Sequence, residues 1–183
     1  MKVITGKYKG YKLFLPLNKN TRPLKSLAKE TIFNILSHSN KFSLDFYNKR
    51  VLDLFSGSGS FGLECLSRGA LNVIFVENNK NALIILKKNI EKLKVQNQVS
   101  IFKESALDYL ENSNKKFDLI FLDPPFKEKN FIKLLNLIVK KKLLNNRGII
   151  IAHRHKNSKD SIANKFKYIS EKTFGISKII FLI

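Results

Sequence analysis

Short apolar segments alternate with longer amphipathic segments over most of the chain beyond residue 50. The pattern predicts strands at 51–55, 73–77, 99–102, 117–122 and 148–152, and helices at about 60–68, 79–94, 105–112, 129–142 and 158–165. Continuous apolar strands between helices are typical of a parallel sheet that is covered on both faces, so an α/β fold is predicted. Two further strand-like segments, 167–172 and 176–183, are separated only by Thr173, Phe174 and Gly175. This spacing predicts a hairpin, and therefore one antiparallel strand at the end of the sheet.

The first 49 residues have a different pattern. Residues 2–15 alternate loosely between apolar and basic side chains, which predicts a β-hairpin or an extended basic arm, and residues 16–23 predict a turn. Residues 26–39 have helical spacing. The apolar face of this helix is expected to contain Leu27, Ile32, Ile35 and Leu36. We expect one domain, with an N-terminal arm and helix at 1–49 and an α/β core at 50–183.

Composition narrows the class of protein. No apolar segment of signal-peptide type follows Lys2, and the longest aliphatic runs are too short to span a bilayer. The single cysteine, Cys65, lies in an apolar helical pattern and is expected to be buried, which fits a reducing cytoplasm. The pattern leaves no additional apolar face, which favours a monomer.

The net charge of +20 is unevenly distributed along the chain. Residues 1–50 contain 11 basic and 2 acidic side chains, residues 51–126 contain 9 of each, and residues 127–183 contain 14 and 3. The codon usage of an AT-rich genome would supply many lysines but would spread them evenly. A neutral middle between two basic flanks favours a polyanionic partner such as nucleic acid.

A glycine-rich loop follows the first predicted strand. Gly57, Gly59 and Gly62 match G-x-G-x-x-G, a spacing that permits a tight turn and close approach of the backbone to a ligand. Glu77 ends the second strand, where a carboxylate can bind the ribose hydroxyls of an adenosine-containing cofactor. A nicotinamide cofactor and S-adenosylmethionine (SAM) both meet this description. Asp53, just before the loop, favours SAM, because a carboxylate would attract its ammonium group and repel a pyrophosphate.

The fourth predicted strand ends in 121-FLDPPF-126. Each proline fixes its own φ, lacks an N–H and holds the preceding residue extended. The Asp123 carboxylate and the Pro124 carbonyl are therefore expected to be free acceptors beside the apolar ring of Phe126. Two acceptors can hold both hydrogens of an exocyclic amine while the base stacks on the ring. This arrangement predicts methylation of a nucleobase amine, with catalysis mainly by positioning.

The motifs together resemble a known family. The glycine loop is similar to SAM-binding motif I of class I methyltransferases, and DPPF to their catalytic motif for amino groups. The segments 4-ITGKYKGYKL-13, 21-TRP-23 and 28-AKETIFNIL-36 resemble the RsmD family of bacterial 16S rRNA guanine-N2 methyltransferases. The resemblance implies a Rossmann-like, seven-stranded sheet with an antiparallel last strand. It also implies SAM as the methyl donor, and 16S rRNA or the assembling small ribosomal subunit as the partner.

The resemblance also implies roles for individual residues. Around the methionine part of SAM it places Asp53, Phe55, Ser56, Gly57, Ser58 and Gly59. Around the adenosine part it places Glu77, Asn78, Ser105 and Ala106. The guanine would be held by Asp123, Pro124, Pro125 and Phe126. Arg22 would lie near the substrate entrance. The basic flanks then suggest phosphate contacts from Lys2, Lys7, Lys9, Lys12, Lys127 and Lys129.

Three positions depart from the family pattern. Ser105 stands where an Asp or Asn usually contacts the adenine amine, and Leu24 follows Arg-Pro in place of Thr. His153 replaces an acidic residue after the fifth strand. A metal site is one interpretation of 153-HRH-155, but a basic rim facing RNA is the interpretation that we prefer, and no metal site is predicted.

Three other functions remain open from the sequence. An adenine-N6 methyltransferase acting on RNA or DNA can share both motifs, although a DNA enzyme normally needs a target-recognition insertion. An NAD-dependent oxidoreductase would use the glycine loop but would leave DPPF unexplained. A non-catalytic RNA-binding module would not require Asp53, the glycines and Asp123 to be intact.

Overall fold

A seven-stranded sheet forms the centre of the molecule. The computed structural model describes residues 1–16, 26–39, 44–160, 162 and 166–183. The strands are β1 (Arg50–Leu54), β2 (Asn72–Val76), β3 (Val99–Phe102), β4 (Phe117–Leu122), β5 (Leu144–His155), β6 (Tyr168–Phe174) and β7 (Ser177–Leu182). Their spatial order is β3-β2-β1-β4-β5-β7-β6, and β7 is antiparallel to both of its neighbours. The predicted mostly parallel sheet and C-terminal hairpin are confirmed.

Helices cover both faces of the sheet. They are α1 (Ser26–His38), α2 (Ser60–Ser67), α3 (Lys80–Leu93), α4 (Ala106–Asn112) and α5 (Phe131–Lys140). The first three pack on one face and the last two on the other. The chain moves from β1 outward to β2 and β3, and then returns to place β4 on the other side of β1. The strand order therefore reverses between β1 and β4, which is where open α/β sheets bind ligands.

Alternation along the strands decides which face each side chain joins. On β4, Leu119 and Phe121 pack with α1–α3, whereas Ile120 and Leu122 pack with α4 and α5. A column of aromatic rings links the N-terminal helix to this strand. Phe33 lies 5.1 Å from Phe61, and Phe61 stacks on Phe121 with ring centroids 3.9 Å apart. Such pairs add about 0.5–1.5 kcal/mol each beyond their buried area, so α1 fixes the strand that leads to Asp123.

The N-terminal arm is attached to α2 and α3 along its length. It folds back on itself through an antiparallel bridge between Lys2 and Lys12, and the Val3 N–H donates to the Tyr11 carbonyl at 3.0 Å, which agrees with the predicted hairpin or arm although no regular strand forms. Side chains of the core also bind its backbone: the N–H groups of Ile4 and Thr5 donate to the Glu64 carboxylate at 2.7 and 3.0 Å. The arm is therefore a fixed surface of the fold.

Several predicted boundaries and contacts need correction. Leu27 is 62% exposed, because the buried face of α1 is formed by residues such as Ala28, Ile32, Phe33 and Leu36. The strand predicted at 148–152 extends over Leu144–His155. No helix is present at 158–160 or 162, and the rest of the helix predicted at 158–165 lies outside the described residues. Arg22 and nearly all of the turn predicted at 16–23 also lie outside them.

Candidate active site

Three titratable side chains lie close to the carboxyl ends of β1 and β4 and to the adjacent part of β5. The register pairs Leu122 with Ala152, so His153 stands at the level of Asp123, and it pairs Asp53 with Phe121, two positions before Asp123. Asp53, Asp123 and His153 occupy positions whose alternation directs them toward the face of α1–α3. The site lies at the point where the strand order reverses, which is where open α/β sheets bind ligands.

The glycine loop turns sharply from β1 into α2. Phe55, Gly57 and Gly59 all have positive φ, at 62°, 55° and 78°. For Phe55 this conformation is strained, and strain of that kind is concentrated at functional sites. Gly62 serves a packing role instead, because a Cβ there would collide with Val73 and Phe75 on β2.

Asp53 is a buried carboxyl with one oxygen unused. Its Oδ2 accepts a hydrogen bond from the Gly62 N–H at 3.0 Å, and Oδ1 has no partner among the described residues. Burial raises its pKa well above the ordinary value, the Gly62 N–H opposes that rise, and the negative charges of Asp123 and Glu77 add to it. An orphaned acceptor in a negative environment fits a cationic ligand, since a cation would stabilise the ionised carboxylate.

Glu77 shapes the glycine loop from the end of β2. Its Oε2 accepts from the Gly57 N–H and its Oε1 from the Asn79 N–H, both at 2.8 Å. Asn79 in turn caps α3 by accepting from the Ala82 N–H. The carboxylate therefore joins the loop after β1 to the helix after β2, and each oxygen keeps a lone pair for a ligand hydroxyl.

A cleft of about 150 Å³ opens beside Glu77. Its lining includes five residues that the sequence assigned to the cofactor: Phe55, Glu77, Asn78, Ser105 and Ala106. It also includes residues that sequence reasoning missed: Val76, Glu104, Leu107, Glu128, Asn130 and Leu134. The missed residues carried no motif, and only the folding of the chain places them at the edge of the sheet.

The Ser105 hydroxyl caps the N-terminus of α4. Its Oγ accepts from the Asp108 N–H at 3.1 Å and donates to the Asp108 carboxylate at 2.6 Å. A hydroxyl has one hydrogen, so Ser105 offers a ligand only its remaining acceptor capacity in this conformation. The adenine contact expected from its position in the family pattern remains a prediction.

Asp123 is paired with His153. The Nδ1 of His153 lies 2.7 Å from Oδ1 of Asp123, and the His153 side chain is 5% exposed. The expectation that the whole carboxylate is a free acceptor is therefore wrong for one of its two oxygens. The Asp123 side chain keeps 18% exposure, Pro124 is buried and Pro125 is exposed.

The segment 153-HRH-155 is not an exposed basic rim. Arg154 is 4% exposed and is bound to Asp160 through two hydrogen bonds of 2.8 and 3.0 Å. His153 faces Asp123, and only His155 among the three is partly exposed. The rings of His153 and His155 both contact Phe126 edge-on, with centroids 5.7 and 5.1 Å away. This part of β5 therefore supports the DPPF segment.

The lysines proposed for phosphate contacts are at the surface. Those described as exposed are Lys2, Lys7, Lys9, Lys12, Lys127 and Lys129. The end of the arm is close to the glycine loop, because Asn89 binds both of them. Its Nδ2 donates to the carbonyls of Phe14 and Ser58, at 3.1 and 2.9 Å, and its Oδ1 accepts from the Phe14 N–H.

The site fits an adenosine-containing cofactor that carries an ammonium group. The buried and unpartnered Oδ1 of Asp53 and Oγ of Ser56 are available for its polar groups, and the space beside Gly57 is open. In the described part of the chain, no cluster of three or more His, Cys, Asp or Glu side chains could hold a metal. None of its helices is both long and apolar enough to cross a membrane.

Comparisons with known proteins identify relatives that match nearly the whole chain. The family model described as "Conserved hypothetical protein 95" matches residues 1–183. The Ribosomal RNA small subunit methyltransferase D of Buchnera aphidicola (subsp. Baizongia pistaciae) is 33% identical over 179 residues, covering 98% of this chain and 88% of the relative.

Solved structures share the fold. The structure of yhhF from Escherichia coli superposes with a TM-score of 0.86 at 26% identity, covering 100% of this chain and 96% of that one. The structure of SMU.776, which was solved in complex with SAH, has a TM-score of 0.69 at 18% identity, covering 96% of this chain and 52% of that one. The second likeness concerns the fold alone.

Proposed function

The chain belongs to the family described as Conserved hypothetical protein 95, the RsmD family, and on that premise we propose that it methylates a guanine of small-subunit rRNA. The acceptor is the exocyclic N2 amine, and the methyl donor is SAM. One observation carries the proposal: Asp123, Pro124 and Phe126 follow β4 at the point where the strand order reverses, beside the glycine loop that follows β1. An amine held by the first set of residues lies next to a cofactor held by the second.

The cofactor is assigned to the loop and the cleft. Asp53, Ser56 and the loop glycines bind the methionine part, and Glu77 with the cleft around Ala106 binds the adenosine part. When bound, SAM supplies a methyl group on a positively charged sulfur, which is an electrophile for an amine. The chain has two tasks: to hold the cofactor, through the acceptor groups of Asp53 and Glu77, and to exclude water with Phe55 and the buried strand ends.

The acceptor base is assigned to the DPPF segment. Oδ2 of Asp123 and the Pro124 carbonyl accept the two amine hydrogens, which directs the nitrogen lone pair away from them and toward the donor. Phe126 provides a ring face for the base, and stacking of this kind contributes about 1–3 kcal/mol per base. The amine gains positive charge only as its new bond forms. It then releases a proton, and Oδ2 of Asp123 already lies at that hydrogen and can accept it.

The N-terminal part of the chain is assigned to RNA. Lys7, Lys9 and Lys12 stand on a surface that the core holds rigidly, and Tyr11 and Phe14 on the same arm are 48% and 47% exposed. Exposed lysines on the same arm as exposed aromatic rings suit the phosphates and unstacked bases of an RNA loop. A guanine in such a loop costs less to present than one flipped out of a duplex.

The proposal is tested by methyl transfer from labelled SAM. The acceptors are 16S rRNA and 30S particles that lack the modification, and the products are identified as nucleosides after digestion. We expect N2-methylguanine at a single site in one of the two acceptors. Label in N6-methyladenine would keep the role of DPPF and change the substrate. SAM binding without label in either acceptor would contradict an rRNA substrate.

A further inference from the structure

His153 contacts the side chain that the proposed reaction depends on. Its Nδ1 lies 2.7 Å from Oδ1 of Asp123, and its Nε2 is buried with no hydrogen-bond partner among the described residues. Residue 153 follows the β5 position that pairs with Leu122, so the register of the sheet places it opposite Asp123. The contact is therefore fixed by two central strands.

The contact defines which nitrogen carries the hydrogen. An ionised carboxylate can only accept, so the short contact requires a hydrogen on Nδ1. In the neutral imidazole, Nε2 then has none. The ring is held in place by its burial and by the edge-on contact with Phe126, with centroids 5.7 Å apart. It cannot rotate away without disturbing both residues of the acceptor site.

We propose that His153 is a positioning residue for Asp123. By donating to Oδ1, it fixes the rotamer of the carboxylate and leaves Oδ2 as the single oxygen that receives the acceptor amine. Without this bond the carboxylate would rotate between orientations, and the amine hydrogen would lose a defined partner. The inference rests on the proposed function, and it assigns to that site a residue that lies outside the DPPF segment.

The experiment compares His153→Asn with His153→Leu. The amide nitrogen of asparagine stands near the position of Nδ1 and can donate to Asp123, whereas leucine is of similar size and cannot donate. With SAM and RNA bound at saturation, we expect the single-turnover rate of His153→Leu to fall roughly 10- to 100-fold, the order expected when a reacting group loses its position. His153→Asn should restore most of that rate, and SAM affinity should be unchanged in both.

His155 provides the matched control. It lies on the same side of β5, its ring centroid is 5.1 Å from that of Phe126, and its Nδ1 accepts from the Asn157 N–H at 3.1 Å. We expect His155→Leu to lose less rate than His153→Leu. Equal rates in wild type and His153→Leu would overturn the proposal. So would equally slow His153→Leu and His153→Asn, because packing alone would then explain the effect.

A second readout does not depend on catalysis. Nitrogen NMR of the imidazole should show a protected hydrogen on Nδ1 in the wild type, and Asp123→Leu should abolish its protection. A bare Nδ1 in the wild type would overturn the proposal even if the enzyme is active. If no rRNA acceptor is methylated but the Nδ1 hydrogen is present and depends on Asp123, the proposed substrate fails and the positioning contact stands.

Discussion

The Lys29 ammonium lies 3.3 Å from the Glu64 carboxylate, and both side chains are completely buried. Glu64 also accepts from Arg68 at 3.0 Å and from the backbone of Ile4 and Thr5, and Lys29 donates to the Lys2 carbonyl at 2.9 Å. One carboxylate on α2 thus connects α1 and the N-terminal arm. Burial lowers the pKa of Lys29, and the charge of Glu64 opposes that shift.

Glu64→Gln should destabilise the protein strongly. The substitution leaves the buried Lys29 charge without its counter-charge, and breaking a buried pair in this way typically costs about 3–5 kcal/mol. The free energy of unfolding in urea measures the loss. Glu111→Gln is the control, because its pair with Lys133 is about half exposed and should contribute less than about 1 kcal/mol. Similar losses of unfolding free energy in both variants would contradict the importance of burial for the Lys29–Glu64 pair. Adding Lys29→Met to Glu64→Gln should restore part of the lost stability, because it removes the unpaired buried charge.

Gly6→Ala should loosen the arm more than Gly10→Ala. Both glycines have positive φ, at 84° and 86°, so both substitutions have the cost of a left-handed conformation, roughly 1–2 kcal/mol. A Cβ at Gly6 would also collide with the carbonyl of Ser67, whereas a Cβ at Gly10 meets no atom within 4 Å. Hydrogen exchange of the Lys7 and Tyr8 amides, which are bonded to Ser67, reports the difference. Equal exchange in the two variants would contradict the close approach.

Asp123→Asn should stop turnover without preventing SAM binding. The asparagine oxygen can still accept from His153, but its NH₂ group then faces the hydrogens of the acceptor amine. We expect a fall in the single-turnover rate of about 10²–10³-fold, the loss seen when one preorganised hydrogen-bonding group is removed. Calorimetry should give an unchanged affinity for SAM.

Asp118→Asn is the control for this prediction. Asp118 lies near the start of β4, the strand that leads to Asp123, and its carboxylate accepts from the Arg50 N–H at 2.8 Å and from the Asn145 amide at 3.0 Å. The single-turnover rate of Asp118→Asn should match that of the wild type. If Asp123→Asn lost SAM binding as well as turnover, Asp123 would belong to the cofactor site.

Asp53 should make the ligand-free protein less stable as pH rises. Its pKa is raised by burial, so the folded state holds a proton that the unfolded state releases from the ordinary pKa of an aspartic acid upward. The stability from this group is complete at low pH and is lost as pH rises toward the folded-state pKa. Asp53→Asn mimics the protonated form, so its stability relative to wild type should increase over that window. Thermal melts of both proteins across this pH range measure the difference in stability. A difference that does not change with pH would contradict the prediction.

Reversing the charge of Lys7, Lys9 and Lys12 to glutamate should weaken RNA binding and leave SAM binding intact. Each phosphate contact contributes roughly one unit to the slope of log affinity against log salt, so the slope should fall by up to about three. The control variant reverses the exposed Lys115, Lys116 and Lys140. Deletion of the arm is a poorer test, because Val3 and Leu13 belong to the hydrophobic core. Equal weakening by both triple variants would indicate a response to net charge alone.

The sequence by itself determined the sheet and the two halves of the candidate site. Apolar strands between amphipathic helices specify a parallel α/β sheet, because the spacing of apolar residues determines which face of each strand or helix is buried. Gly57, Gly59 and the DPPF segment mark the ends of β1 and β4, because only a few residue types tolerate those backbone conformations. Local conformational preferences of this kind can be recognised from the sequence alone.

Only the tertiary structure decided which partners those residues have. His153 is 30 residues from Asp123, Asn89 is 75 from Phe14, and Glu64 is 60 from Ile4. These contacts depend on strand register and on how the arm lies on α2 and α3. A histidine in a basic segment therefore suggested an exposed rim, yet parallel pairing of β4 with β5 buries it against the carboxylate of DPPF. The periodicity of the sequence determines which face of a strand or helix a residue occupies. The pairing of strands that are distant in sequence determines which side chains it contacts on that face.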